Sequence, residues 1–384
     1  MVDQLSRIYA MEFIRSLAHT MLGIYLPIYI LDTGSTTTEL SLFFISVFTF
    51  NAISAFLSLS VFRRRMGVGL FVSLIFRGTF YFSLFWAINW HVIAPIFGFG
   101  VGLYWSLIDL SLITLPRKEE SGLRIGILYM LMQIAGIIGP MIGGFIITDF
   151  GYSNLFLIAA LILVPTAFLA LLVGKLKTDF EIPSARFVKE YYRNSKDNRL
   201  LFVFIPIYGL ITAQMWVYYP LLLRQWGQTE LGMGIIQTIV GILVALTLVG
   251  AGKLFDLNRG RYVIISSLLL QMISLLLLGV AWNVEAFTVA GWMVSVASSL
   301  MASPFWATIA GTTEKRFYPS LVILVSALLN SGRVVAFVSF SPLLASGNLM
   351  VIYFVIAGVA LVGLVIALNF SGHFYSARNR RDYE

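Results

Sequence analysis

The sequence predicts an all-α membrane protein of twelve transmembrane helices, arranged as two pseudo-symmetric six-helix bundles. Three observations carry that expectation. Of 384 residues, 59% are hydrophobic and 11% charged, with a mean hydropathy of +0.89. That leaves too few polar groups to cover a water-soluble globule. Apolar runs of about 20 residues, the length that crosses a bilayer as a helix, recur twelve times. The runs also fall into two sets of six with matching landmarks, as a duplicated bundle would.

In the first half the predicted spans are 8–31, 40–62, 68–88, 92–115, 124–148 and 153–174. In the second they are 199–222, 231–252, 261–282, 286–310, 320–345 and 348–370. Between the sets, Lys175, Lys177, Arg186, Lys189, Arg193 and Lys196 face Asp179, Glu181, Glu190 and Asp197, which marks a linker. The expected organisation is a bundle over 1–174, a cytoplasmic linker over 175–198, a second bundle over 199–372 and a cytoplasmic tail over 373–384. Phe62 and Gly67 match Phe255 and Gly260, and Gly136 and Gly151 match Gly332 and Gly347, so a parallel duplication is the expected origin.

Lys and Arg set the expected orientation. With the N-terminus in the cytoplasm, 22 of the 26 fall on that side, including the Arg63, Arg64 and Arg65 cluster and the linker cations. The positive-inside rule then puts both termini in the cytoplasm, in a cell membrane. The net charge of +8 and pI near 9.6 follow from this bias. These cations suit anionic lipid headgroups, so nucleic acid is not expected as a partner.

Other chemistry recedes on composition. With no cysteine, disulfides and thiolate metal sites are excluded, and His19, His91 and His373 are too scattered for a metal cluster, so neither metal nor cofactor is expected. No nucleophile or dyad lies at membrane depth, so an enzyme is not expected either. Glu12 and Arg15 interrupt the first run, and no small-residue cleavage site follows it, so Met1 is expected to be retained.

The narrowest pattern is Gly136-Ile137-Ile138-Gly139-Pro140-Met141-Ile142-Gly143-Gly144 on span 5. Glycines let helix backbones approach closely in lipid, and proline frees a carbonyl and bends the axis. The segment reads as a helix that kinks and presses on a neighbour. Ionisable groups inside spans cost roughly 2.5 to 3.5 kcal/mol each by insertion scales, so each needs a partner or a task. Glu12, Arg15 and His19 share one face of span 1 at spacings of three and four. They form either a functional face or an ion pair beside a core histidine. Asp109 on span 4 carries a proton or substrate, or pairs with Arg77 on span 3. Arg333 on span 11, one turn after Asn330, binds an anionic group or reaches a backbone carbonyl. Tyr104 and Trp105 lie too deep for an interfacial belt and suit an aromatic wall. Gln133, Gln214 and Gln237 face a cavity or bond between helices.

Twelve spans in two halves, a charged central loop and short loops after spans 2 and 8 resemble the major facilitator superfamily. The stretch Gly252-Lys253-Leu254-Phe255-Asp256-Leu257-Asn258-Arg259-Gly260-Arg261 is similar to that family's cytoplasmic gating motif, with one extra residue before the second glycine. Its first-half counterpart departs, with Leu59 at the motif's glycine and Arg63 at its aspartate. The span 5 glycines and proline resemble the motif of the drug:proton antiporter branch. The resemblance implies a secondary transporter working by alternating access, with spans 1 and 4 on a central cavity. The first expectation is proton-coupled export of an amphipathic or hydrophobic compound. Glu12, His19 and Asp109 would be its proton-linked groups, and Arg15, Tyr104, Trp105, Gln133, Gln214, Gln237, Asn330 and Arg333 its substrate contacts. The alternative is uptake or exchange of an anionic metabolite, because the fixed charges Glu12, Asp109, Arg15, Arg77 and Arg333 sum to +1. A lipid flippase on the same scaffold is the third reading. The expected partners are a small-molecule substrate, protons and membrane lipids, with the chain acting as a monomer.

Overall fold

The structure, a computed structural model, describes residues 2–86, 88–114, 121–175, 180–256, 260–310 and 313–370. Within these, side chains 2–3, 113, 121–126, 214–216, 246–256, 260–261 and 302–310 stay outside the description. Span 1 is α1 (Val2–Gly23) and α2 (Leu26–Asp32), broken at Tyr25. Spans 2 to 4 are α3 (Thr37–Val61), α4 (Met66–Phe85) and α5 (Trp90–Thr114). Spans 5 and 6 form one assigned helix, α6 (Ser121–Leu171), divided at Gly151. The linker holds α7 (Ala185–Asn194). Spans 7 to 12 are α8 (Lys196–Gln225), α9 (Glu230–Asp256), α10 (Gly260–Val280), α11 (Val284–Ala310), α12 (Tyr318–Ala345) and α13 (Leu349–Leu368).

Among the described residues, ten helical segments are long and apolar enough to cross a bilayer. The two arms of α6 count separately and α9 adds one more, so the chain crosses twelve times. Helices outrun the apolar runs at several ends: α1 begins at Val2 and α8 at Lys196, because polar turns outside the apolar stretch stay helical.

The corners of the two halves resemble each other. At the start of α3, Thr36 Oγ1 accepts from the Glu39 N–H, and the Glu39 carboxylate accepts from the Thr36 N–H at 2.7 Å. This is a capping box, which satisfies two donors left over at a helix start. At the equivalent corner of the second half, Thr229 Oγ1 accepts from the Gly232 N–H at 3.1 Å. Asn89 caps α5 by accepting from the His91 N–H, and Asn283 caps α11 by accepting from the Ala286 N–H. Gly151 and Gly347, the matched pair after spans 5 and 11, have φ of +81° and +76°. A residue with a Cβ is strained in that region, which explains glycine at both corners.

The halves meet along two seams, α6 on α9 and α3 on α12. The linker leans on the second half. Phe187 and Tyr191, one turn apart on α7, are buried, and Phe187 stacks on Phe317 at 5.3 Å between ring centres. Ser184 Oγ caps α7 by accepting from the Phe187 N–H, and the Glu181 N–H donates to the Arg316 carbonyl at 3.1 Å. The linker is therefore an ordered strap on the loop between spans 10 and 11, where the sequence reading expected only a charged segment.

Candidate functional site

Glu12 and Arg15 are one turn apart on α1, and both are buried, at 0% and 2% exposure. Arg15 Nε donates to Glu12 Oε2 at 3.2 Å, and Arg15 Nη2 donates to Oε1. Ser16 Oγ donates to Oε1 at 3.0 Å, and the Tyr104 hydroxyl donates to Oε2. Glu12 is thus surrounded by donors. The Arg15 guanidinium lies over the rings of Tyr104 and Trp105, at 4.8 and 5.3 Å from their centres. Arg77 on α4, 1% exposed, lies over the same Tyr104 ring at 5.0 Å. Among the described residues its Nε and Nη1, and Nη1 of Arg15, are buried without a hydrogen-bond partner. Tyr104 therefore belongs to the interior of the first bundle rather than to an open cavity wall.

Asp109, one turn further along α5 from Trp105, is half-buried. Among the described residues it makes no hydrogen bond or ion pair, and the pairing with Arg77 does not form. It lies within electrostatic reach of Glu12 and Tyr129. His19 Nδ1 and the Tyr81 hydroxyl are 3.2 Å apart. Both line a small pocket of about 20 Å³ with Phe44, Phe80 and Phe97, room for about one water. Sequence reasoning missed Tyr81; the signal was its place one turn after Arg77 on the same helix.

In the second half, Arg333 Nη1 donates to Asn330 Oδ1 at 3.2 Å, and its guanidinium lies over the Phe48 ring of the first half at 5.2 Å. Its Nε is buried without a partner. Asn330 Nδ2 donates across the seam to Asn51 Oδ1 at 3.2 Å. Tyr208 on α8 is within electrostatic reach of both Arg333 and Tyr129. Gln133 Nε2 donates to the Gly241 carbonyl at 3.0 Å, so it bonds between helices of the two halves. Gln237 Oε1 on α9 is buried with no partner.

The glycines of the span 5 motif occupy a three-helix junction. A Cβ at Gly139 would overlap Thr20 Oγ1, and one at Gly143 would overlap the Met21 carbonyl, so α6 presses on α1. A Cβ at Gly144 would stand 2.7 Å from both the Glu230 carbonyl and the Tyr25 hydroxyl, where α6 meets α9. Gly136 has nothing within 4 Å of that position. The Tyr25 hydroxyl donates to the Pro140 carbonyl at 2.6 Å and reaches the Glu230 carbonyl at 3.1 Å. Nearby, Arg224 binds Glu230 at 2.6 Å and approaches Asp32 at 3.7 Å, while the Tyr152 hydroxyl is 3.4 Å from Glu230 Oε1. All of these lie toward the end of the molecule opposite the linker.

Some expected site residues lie beyond this geometry. Gly252 and Asp256 fall at the end of α9 and Gly260 and Arg261 at the start of α10, with side chains outside the description. Arg259 and the tail 373–384 lie outside the described residues, and so does the side chain of Gln214.

Comparison with known proteins follows the same lines. The family model for the Major Facilitator Superfamily matches residues 8–225. No curated protein sequence matches. Among solved structures, the human organic anion transporter MFSD10 (TETRAN) is similar at a TM-score of 0.75 and 14% identity, over 94% of this chain and 98% of that one. A POT family transporter in complex with a thioalcohol-conjugated peptide is similar at 0.71 and 14% identity, over 96% of each chain. At that identity these two speak for the fold alone. Since the family match takes in more than half of the residues, the chain belongs to the Major Facilitator Superfamily and is a multi-pass membrane transporter of a small molecule.

Proposed function

We propose that the protein moves an amphipathic organic anion together with a proton, with Asp109 carrying the proton and Arg333 contacting the anion. One observation carries this reading. Among the described residues, Asp109 is a half-buried carboxylate inside a span without hydrogen bond or ion pair, and across the seam Arg333 holds a guanidinium whose Nε has no hydrogen-bond partner. Charges at this depth are expensive and are kept for a task. Tyr129 is within electrostatic reach of Asp109 and of Tyr208, and Tyr208 is within reach of Arg333.

With Asp109 ionised, its charge and that of Arg333 cancel. A proton on Asp109 leaves the site positive, which favours an anion, so proton and anion bind cooperatively and travel in the same direction. A cationic substrate would instead compete with the proton and move against it. Glu12, surrounded by donors, is a holding group for Arg15 in this scheme, and His19 with Tyr81 is a second place for a proton. Trp105 and Asn330 shape the wall and hold Arg333.

The antiport reading, export of an amphipathic or hydrophobic compound, is favoured by the glycines of span 5, which pack where a seal between halves is needed. In either case we take the basic loops to lie on the cytoplasmic side of a cell membrane, with both termini and the linker there, and the junction at Tyr25 as the external seal. The gating motif from Gly252 to Arg261 becomes the cytoplasmic clasp, and the rocking units are residues 1–174 and 199–372 of a monomer.

Proteoliposomes with an imposed pH gradient test the choice. An aromatic acid should accumulate on the alkaline side with the wild-type protein, lose its response to the gradient with Asp109→Asn, and require roughly tenfold more substrate with Arg333→Gln. If a lipophilic cation dye moves against the proton flow while the acid is ignored, export replaces symport.

A further inference from the structure

We infer that Arg77, with Arg15 beside it, holds a compact monoanion of the halide class inside the first bundle, apart from the seam between the halves. Both guanidiniums are buried and both lie over the Tyr104 ring, at 4.8 and 5.0 Å, so their central carbons are less than about 10 Å apart. The carboxylate among them is Glu12, whose oxygens already accept from Arg15, Ser16 and Tyr104. Arg77 makes no bond to it. Among the described residues Asp109 makes no hydrogen bond or ion pair with either guanidinium.

A guanidinium keeps its proton in any protein environment. The cluster of Glu12, Arg15 and Arg77 therefore carries one uncompensated positive charge, with three unpartnered nitrogens, Arg77 Nε, Arg77 Nη1 and Arg15 Nη1. Native interiors hold few such groups, and each calls for a water or an ion. Water would satisfy the donors and leave the charge; an anion satisfies both.

Size selects among anions. These nitrogens have essentially no accessible surface, so the acid group of a bulky substrate entering from the seam cannot reach them. A monoatomic ion can be enclosed as the bundle folds. His19 and Tyr81, one turn beyond Arg15 and Arg77, line a separate, mostly apolar pocket of about 20 Å³ that neither arginine lines, so the ion's place is among the guanidiniums themselves. The site is independent of which substrate is transported.

The test is thermal unfolding of the full-length protein in detergent, titrated with sodium chloride or bromide against sodium gluconate at constant ionic strength. A ligand bound only by the folded state raises the midpoint in a saturable way. The expected result is a saturable rise with halide in the wild type and in Arg333→Gln, and a flat response in Arg77→Gln. Equal midpoints in halide and gluconate overturn the site, as does a halide response that survives in Arg77→Gln. Should Arg77→Gln fail to fold, Arg77→Lys keeps the charge and drops the fork of donors. The halide concentration at half-effect should then rise about tenfold or more, and an unchanged value is contrary. A benzoate arm separates the sources: an Arg77-dependent response to benzoate with none to halide assigns the group to the substrate and removes the halide site.

Discussion

The hydroxyl of Tyr25 donates to the carbonyl of Pro140 at 2.6 Å from a ring with no exposed surface. The same oxygen is 3.1 Å from the Glu230 carbonyl, so a residue at the break in span 1 joins spans 5 and 8, and thereby the two halves. Tyr25→Phe keeps the ring and removes the tie, at a cost of about 1 to 2 kcal/mol for the acceptors left behind. Because the chain lacks cysteine, a single Val101→Cys reporter, half-buried on α5 two turns before Asp109 on the same helix face, can be labelled cleanly. Its reaction with an impermeant maleimide added from the face opposite the linker should speed up in Tyr25→Phe. An unchanged labelling rate would mean the junction does not control that entrance.

The four glycines of the span 5 motif should differ in tolerance. Gly144→Ala places a Cβ 2.7 Å from the Glu230 carbonyl, an overpacking that costs about 1 to 3 kcal/mol. Gly136→Ala meets open space, and Ala favours the helix by up to about 1 kcal/mol over Gly. Melting and transport assays should show Gly144→Ala impaired and Gly136→Ala unchanged or slightly stabilised. If both fall equally, the motif acts through chain flexibility rather than through contact.

Glu12 is the counter-charge of Arg15, with the Arg77 guanidinium over the same Tyr104 ring. Removing it with Glu12→Gln leaves buried cations exposed to one another, a loss of about 3 to 5 kcal/mol. The double change Glu12→Gln with Arg15→Met should recover part of the folded yield, as fluorescence size-exclusion profiles of expressed protein would show. A double variant no better than Glu12→Gln alone would place the damage elsewhere.

The pair of Arg224 and Glu230 behaves differently because water reaches it. Their side chains are 42% and 19% exposed, and such a pair contributes under about 1 kcal/mol. A double-mutant cycle with Arg224→Gln and Glu230→Gln should return a coupling of that small size in melting, while the Val101→Cys labelling rate responds more clearly. A coupling of several kcal/mol would show that the junction is sealed from solvent.

Much of the fold was readable because its causes are local. Run length gave the spans, and Gly151 and Gly347 stood out as a matched pair at equivalent corners. The strap α7 was missed although Phe187 and Tyr191 sit four apart in a charged stretch, since charge drew attention from the apolar pair. The site was harder for a physical reason. Helices in lipid are apolar on every face, so sequence does not reveal which side meets the partner helix and which meets a cavity. That is why Tyr104 reads as a cavity wall yet points to Glu12, why Arg77 and Asp109 read as partners yet stay apart, and why Tyr81, Tyr129 and Tyr208 gave no warning.

Proton movement through Asp109 is measured most directly by the pH change inside proteoliposomes when an aromatic acid is added outside. Acid and proton should enter together with the wild-type protein, and with Asp109→Asn the acid should enter, if at all, without the pH change. A pH change of the same size in Asp109→Asn, or acid entry by the wild type with none, contradicts the assignment.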